Sequence, residues 1–324
     1  MELSKIWIAM LTRDRRDAGT DSSINLVINS GGIERLNHTF PDTTQDDQER
    51  AQANLYEVNV TGRNIVPEEL NNSSIRIGIR GSDAWRPEHI FIWGVRRVFL
   101  ETEVIPLAIE TGINTQLSTD ASEGPSSRPL RLVDHGGSRM AINRLFMLMT
   151  TGGTSPDGGI IAEAHNTRPG SDSPLEIQVV SNGNLVVLSE IRDTFQNDLK
   201  PGSANFYAAP VFTPFAKRDL DNSSITLRIK GLDDWEPTSF FIFGLDDASG
   251  RPESLVPLVF LPDWPHGNMA ADTLTGSATR RLALVRDPLR IDDDMVVAFR
   301  SLAAGQERLV TLMEKLLVQQ AQAN

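Results

Sequence analysis

The chain has 324 residues, a formal net charge of −12 and no cysteine. This length is too great for one ordinary hydrophobic core and suits two domains with an additional segment. The acidic balance, without any Lys/Arg-rich stripe, disfavours a nucleic-acid partner and plain adsorption to anionic lipid. The lack of cysteine excludes disulfides, thiolate catalysis and zinc–thiolate sites.

The first apolar stretch, residues 6–11, is too short for the core of a cleaved signal peptide, and basic residues follow it rather than precede it. No run in the sequence approaches the roughly 18 apolar residues of a membrane-spanning helix. We therefore expect a cytoplasmic protein with no integral membrane segment. Export by a route without a cleaved signal stays open.

One stretch of sequence occurs twice. Residues 70–94 and 220–244 align without a gap and share thirteen of 25 positions, including Asn-Ser-Ser-Ile, Gly-x-Asp-x-Trp-x-Pro and Phe-Ile-x-Gly. Self-similarity of this kind is the signature of a duplicated structural unit. The chain is therefore predicted to contain two copies of one domain.

Weaker matches on both sides set the bounds of the copies. The opening strand at 7–12 aligns with 145–150 in this comparison. The predicted organisation is a first domain at 1–133, a linker at 134–142, a second domain at 143–285 and a C-terminal segment at 286–324.

The repeated stretch has the pattern of β-strands. Residues 75–80 and 225–230 alternate apolar and polar side chains, which places one side of each strand on a core. Residues 90–93 and 240–243 are short apolar runs before a glycine, as in strands buried on both faces. Short strands separated by turn residues predict a mainly β fold, with two tandem antiparallel β-sandwich domains and a C-terminal amphipathic α-helix.

The opening of the first copy resembles a PLAT/LH2 β-sandwich domain. A strand ending in Thr-Arg-Asp at 12–14, followed by Ala-Gly-Thr-Asp at 18–21, is similar to the T-G-D and G-A-G-T-D-A elements of that family. The segment 82–90 is similar to the family's later turn, where a Trp precedes the strand that closes the sandwich. In the second copy, the opening loop at 150–158 lacks the G-T-D element.

The resemblance implies binding to lipid surfaces or partner proteins, with calcium held between loops in some members. Carried over position by position, the calcium ligands of the first copy would be Asp14, Gly19 (through its carbonyl), Thr20 and Asp21. Calcium takes about six to eight oxygen ligands, so Asp46 and Asp47 would have to converge on them. In the alternative interpretation, Asp21 caps a turn and Asp14 is a solvated loop residue. Calcium is not expected in the second copy, which has only Asp157 in place.

The two copies share a tryptophan, Trp85 and Trp235. Such residues could line a ligand groove, but a Trp at matched positions is more typical of a sandwich core, with its indole N–H bonded to a neighbouring carbonyl. Asp83 and Asp233 are expected to cap the same turn through backbone N–H groups.

The residues that could carry out catalysis do not repeat. The five histidines show no close pairing, and no catalytic or nucleotide-binding motif stands in its proper context. We therefore expect a protein that is not an enzyme. A hydrolase with a site between the two copies, near His135 or His165, is a second alternative.

Two polar loops, at 112–128 and 266–279, occupy equivalent places in the copies, and long loops on a rigid scaffold often carry binding specificity. The Asp-His-Gly-Gly segment at 134–137 is expected to be a hinge between the domains.

The spacing of apolar residues changes from residue 292 onward. Positions alternate four and three apart, which is a heptad seam. The seam consists of Met295, Phe299, Leu302, Gln306, Leu309, Met313 and Leu316. Three aspartates at 292–294 supply an N-cap and negative charge at the helix start. The pattern favours a coiled coil over a helix that lies back on a sandwich.

These features predict a non-catalytic structural or adaptor protein. Its duplicated sandwiches would contact protein partners, and its helix would drive homo-oligomerisation or docking into a larger assembly. The first alternative is a calcium-assisted module that binds lipid or carbohydrate, with peripheral lipid contact.

Overall fold

The computed structural model describes residues 1–40, 48–98, 101–135, 140–152, 171–191, 199, 203–246, 254–271 and 276–285. Met1–Arg286 forms one compact unit. The predicted C-terminal helix and its heptad seam lie outside the described residues. No helix in the described ranges has the length and apolar character needed to cross a bilayer.

The mainly β class is confirmed by the secondary structure. The first copy contains β1 Lys5–Thr12, β2 Ser23–Ser30, β3 Ile33–Phe40, β4 Ala53–Asn59, β5 Ile75–Arg80, β6 Pro87–Val98, β7 Glu101–Thr111 and β8 Ser127–Pro129. A short strand, β9 Asp134–His135, follows in the linker. The second copy contains β10 Ile142–Thr151, β11 Leu175–Ser181, β12 Asn184–Ile191, β13 Ala204–Phe215, β14 Ile225–Ile229, β15 Pro237–Asp246, β16 Ser254–Leu261 and β17 Thr279–Arg281. Single-turn 3-10 helices lie at Pro67–Glu69 and Lys217–Asp219.

Each copy is an antiparallel β-sandwich. The outer layers have the strand orders β3-β2-β5-β8 and β12-β11-β14-β17, and the inner layers have the orders β7-β6-β1-β4 and β13-β10-β15-β16. Alternating apolar residues fill the space between the layers, as period-two patterning requires. In the first copy, for example, Ile6, Ile8 and Met10 of β1 pack with Ile24 and Leu26 of β2.

The two inner layers belong to one nine-stranded sheet. Ala53 of β4 pairs with Ala204 of β13 and joins the copies at one edge. Strand β9 pairs in parallel with β16, through Ser254 and Leu255. The segment that the sequence suggested as a hinge therefore contributes a strand to the shared sheet.

The inner layers also pack face to face through a third apolar core, here called the inter-repeat layer. It consists of Trp7, Ala9, Leu55, Phe91, Trp93, Val95, Val104, Ile109 and Val133 of the first copy with Phe146, Leu148, Phe241, Phe243, Leu245 and Leu255 of the second. Strands β1, β6, β10 and β15 are consequently buried on both faces. This explains their nearly continuous apolar sequences.

The structural alignment of β1 with β10 differs by one residue from the sequence alignment of the two copies. Thr12 pairs with Pro87, and Thr151 pairs with Pro237, so Thr12 is equivalent to Thr151 rather than to residue 150. A one-residue slip exchanges the two faces of a strand. Both faces are apolar here, so the alternation of polar and apolar residues could not determine the register.

Contacts across the inter-repeat layer are reciprocal. With the corrected register, Trp7 is equivalent to Phe146 and Phe91 to Phe241. The ring centroids of Trp7 and Phe241 are 5.2 Å apart, and those of Phe146 and Phe91 are 5.1 Å apart. Reciprocal contacts of this kind define an isologous, two-fold interface. The two copies are therefore arranged as in a symmetric dimer whose subunits are covalently joined.

Replacement of buried tryptophans with phenylalanine should distinguish a hydrogen-bonded indole from one without a hydrogen bond. Trp85 Nε1 donates to Thr12 Oγ1 at 3.0 Å, whereas Trp93 Nε1 has no hydrogen-bond partner within the described part of the chain, and its equivalent is Phe243. Because only W85F removes a hydrogen bond, we expect W85F to lower the free energy of unfolding by about 1 kcal/mol or more beyond W93F. Denaturant unfolding of both variants measures the difference, and equal losses would contradict it.

His89 lies at the margin of the inter-repeat layer, with its ring centroid 5.4 Å from that of Phe206 of the second copy. Burial lowers the pKa of His89 below its ordinary value of 6.5, and the charges of Arg13 and Arg144 add to this effect against that of Glu88. His89 is therefore neutral in the folded protein at pH 7.

This lowered pKa makes stability depend on pH. As pH falls, His89 is protonated in the unfolded chain before it is protonated in the folded protein. The contribution of neutral His89 to stability is therefore complete above the ordinary pKa of histidine and is lost as pH falls through the lower pKa of the folded protein. We expect the Tm to drop between about pH 7.5 and pH 5, and to drop less in H89Q. His38 and His266 also have lowered pKa values, so the informative quantity is the difference between wild type and variant. Parallel curves would refute the assignment to His89.

Candidate functional site

Asp83 organises the turn beside the repeated tryptophan in the first copy. Its Oδ2 accepts from Asp21 N at 3.2 Å and its Oδ1 from Ala84 N at 2.9 Å. Asp83 N donates to Ser22 Oγ at 3.0 Å. A Cβ at Gly81, whose φ is +145°, would lie 2.3 Å from the same Ser22 Oγ. The turn therefore requires glycine at this position.

The second copy builds the same turn. Asp233 accepts from Asp172 N at 3.0 Å and from Asp234 N at 3.1 Å, and Asp233 N donates to Ser173 Oγ at 3.0 Å. Asp83 and Asp233 thus cap their turns by accepting hydrogen bonds from backbone N–H groups, as expected.

The Gly-Thr-Asp element has a counterpart in the second copy, contrary to the sequence comparison. Thr20 Oγ1 accepts from Ser22 N, and Ser171 Oγ accepts from Ser173 N, both at 3.0 Å. Twenty residues separate Thr151 from Ser171 (171 − 151), against eight between Thr12 and Thr20 (20 − 12). The longer loop moved the element beyond the range in which the sequence comparison placed it.

Two of the four calcium candidates of the first copy, Asp14 and Thr20, have their side-chain oxygens in other contacts. Asp14 Oδ1 lies 2.6 Å from Arg50 Nη2 in an ion pair, and a Cβ at Gly19 would lie 3.0 Å from Glu49 Oε1. The Thr20 hydroxyl accepts the bond given above, and Asp21 donates its backbone N–H to the turn. No group of three or more His, Cys, Asp or Glu that could hold a metal ion occurs among the described residues. Asp46, Asp47 and Asp157 lie outside them, so the calcium site stays a prediction.

The repeated tryptophans connect the core to the polar loops. Trp85 and Trp235 are fully buried, and their indole N–H groups donate to Thr12 Oγ1 and Thr151 Oγ1 at 3.0 and 2.9 Å. The partner is a threonine hydroxyl rather than the expected carbonyl. Because both rings are inside the sandwich, neither serves as a surface for stacking a ligand.

The backbone of each tryptophan holds the polar loop that follows β7 or β16. Trp85 N donates to Leu117 O at 2.9 Å, and Leu117 N donates to Trp85 O at 2.8 Å. Trp235 and Met269 exchange the same two bonds, each at 2.8 Å. These pairs fix the two loops that the sequence singled out as equivalent.

A cleft of about 340 Å³ lies between this loop and the end of β1 in the first copy. Its lining residues are Arg13, Arg15, Arg86, Ile113, Asn114, Thr115, Gln116, Glu123 and Gly124. Three of the nine are arginines, although the protein as a whole is acidic. Glu123 Oε2 accepts from Ser118 Oγ at 2.9 Å and so is tied to the loop itself.

Two of the three arginines, Arg13 and Arg86, are held by neutral groups. Arg13 Nη2 donates to Ile113 O and Asn114 Oδ1, both at 2.8 Å, and Arg86 Nε donates to Gln116 Oε1. Within the described part of the chain, Arg13, Arg15 and Arg86 form no ion pair with a carboxylate. Glu123 also lines the cleft, so three guanidinium groups and one carboxylate leave the cleft with a net positive charge.

The second copy differs at the positions that supply this charge. Arg13 N donates to Arg86 O at 3.0 Å, and the equivalent bond runs from Gly152 N to Glu236 O at 2.8 Å. Glycine and glutamate thus replace the two arginines. Sequence reasoning missed the cleft, because its residues are distant in the chain and the sequence alignment did not match Arg13 with Gly152.

Comparison with protein-family models gave no match, and no curated protein matches the chain. Among solved structures, the chain has similarity to the alpha toxin from Clostridium absonum, with 20% sequence identity over 40% of this chain and 32% of the toxin chain, at a TM-score of 0.31. The chain thus spans about a third of the toxin's length. A similarity at this level assigns neither a family nor an activity.

Proposed function

We propose that the chain is a non-catalytic adaptor protein. Its two sandwiches present their loops as one binding edge, and its C-terminal segment associates with other copies or with a larger assembly. The observation that carries the proposal is the pairing of β4 with β13, because it brings equivalent ends of the two copies together.

The geometry of this edge follows from the strand register. Leu11 pairs with Ala53, and Ala53 pairs with Ala204, which in turn pairs with Thr150. The opening loops of both copies therefore begin beside the same corner of the sheet. Binding surfaces formed by several loops on a rigid scaffold are a common solution for protein recognition.

The scaffold behind this edge is suited to an adaptor. The inter-repeat layer buries large aromatic side chains from both copies, so neither sandwich can move without exposing apolar surface. Three histidines, His38, His89 and His266, engage in packing or turn contacts. His38 packs edge-to-face on Phe40, His89 accepts a bond from Gly112 N, and His266 packs against Trp264.

The PLAT/LH2 assignment is part of the same proposal. Its support is the eight-stranded antiparallel sandwich of the first copy and the turn at Asp83, which lies where the resemblance puts a turn before the closing strand. Members of that family bind partners through such loops, in line with the proposed role.

Leu232 offers a test of the loop edge. It is 94% exposed at the tip of the Asp233 turn, and the first copy has Ser82 at the matched position. We expect L232S to reduce the capture of protein partners from cells that express the chain, with no change in Tm, because an exposed side chain contributes little to folding. Quantitative mass spectrometry of the captured proteins measures this.

Ile33, 55% exposed at the other end of β2 and β3, supplies the matched control, I33S. Equal loss in both variants, or loss in neither, would count against a partner surface at the loop edge.

The C-terminal segment offers a second test. We expect the full chain to form a defined oligomer and a chain ending before Pro288 to be monomeric, because the heptad seam would be lost. Light scattering coupled to size exclusion gives both masses. L309E should dissociate the oligomer, whereas T311E, outside the seam, should not. A monomeric full-length chain would refute this part of the proposal.

A further inference from the structure

We propose that the arginine-lined cleft of the first copy binds the phosphate group of a small, soluble phosphate monoester. The proposal goes beyond the adaptor function and does not depend on it, because it concerns a single cleft within one sandwich.

The charge of the cleft selects a multiply charged anion. A phosphate monoester carries about −1.5 to −2 charges at pH 7 and three strong acceptor oxygens. Arginine presents planar, paired N–H donors that match phosphate oxygens. Three guanidinium groups and the one carboxylate of Glu123 leave a formal charge of about +2, which matches a dianionic phosphate.

Arg13 and Arg86 are already oriented for such a ligand. The side-chain hydrogen bonds of Arg13 use only Nη2, and that of Arg86 uses only Nε. A guanidinium has five N–H donors, and those remaining on Arg13 and Arg86 make no hydrogen bond to the described residues. One edge of each group is thus fixed by the loop, and other donors stay available to an anion.

The wall of the cleft is preformed. The exchange of backbone bonds between Trp85 and Leu117 anchors the loop to the sandwich, and Ser118 N donates to Pro125 O at 3.1 Å across its base. A Cβ at Gly124 would lie 2.3 Å from Gln116 O, so glycine is what allows the two limbs of the loop to approach. A preformed site lowers the ordering cost of binding.

Size and net charge favour a soluble ligand over a lipid. The volume of about 340 Å³ lies at the lower end of the range of small-molecule sites, roughly 300–1,000 Å³. A protein with a net charge of −12 is repelled by an anionic membrane surface. A small phosphorylated metabolite fits this volume and, with only about two charges, is repelled less than an anionic membrane surface.

Comparison with the second copy separates the residues that the fold requires from those available for ligand binding. It has the same tryptophan turn and the same loop anchor, but Gly152 and Glu236 stand where Arg13 and Arg86 stand. The fold therefore does not require arginine at these positions. At these two positions, the first copy has positive charge and the second does not.

Titration calorimetry on the full chain tests the proposal with named probes. We expect inorganic phosphate and glycerol 3-phosphate to bind, acetate to bind at least about tenfold more weakly, and the affinity for phosphate to fall with added salt. R15Q and R86Q should each weaken phosphate binding about tenfold or more, because each removes charge-assisted hydrogen bonds. R86E, which gives the first copy the residue of the second, should abolish it.

R97Q is the matched control, since Arg97 is an exposed arginine of the first copy outside the cleft, and its phosphate affinity should equal that of wild type. The Tm of each variant checks folding. Absence of phosphate binding by the wild-type chain would overturn the proposal, and so would wild-type affinity in R15Q and R86Q. Acetate as tight as phosphate would overturn the ligand class. Binding to vesicles of phosphatidic acid in phosphatidylcholine, without binding of glycerol 3-phosphate, would replace the soluble ligand with a lipid headgroup.

Discussion

The inter-repeat layer is the interaction on which the rest of the structure depends. It covers the faces of the two inner sheets that point away from their own sandwich cores, and these faces are lined by large aromatic and aliphatic side chains. If exposed, these faces would form contiguous apolar patches, which soluble monomers rarely present. Strands β1, β6, β10 and β15 can therefore be apolar on both faces only because the two copies pack together.

Because of this layer, the two copies are not independent domains joined by a flexible linker. Reciprocal contacts between equivalent rings are those of a two-fold dimer, and the linker strand β9 joins the shared sheet. Because the copies are parts of one chain, their sequences can differ, unlike those of the two subunits of a homodimer. Each can change its loops while the buried face that it presents to the other stays apolar.

The repeated tryptophan shows how the loops remain attached to this scaffold while their chemistry changes. Its ring lies in the sandwich core, and its backbone carries the polar loop, through Leu117 in one copy and Met269 in the other. The residue that follows it is Arg86 in the first copy and Glu236 in the second. One structural device thus positions an arginine or a carboxylate at the same place.

The sequence by itself determined the β class, the duplication and the Asp83 and Asp233 turns, because alternation and turn residues act over a few neighbouring positions. It failed where the signal was not local. The strand register was ambiguous because both faces of β1 and β10 are apolar, and the linker's role depends on pairing with a strand more than a hundred residues away. The arginine cleft joins residues 13, 86 and 113–124, and only the tertiary packing of β1 against β6 and the loop brings these distant positions together.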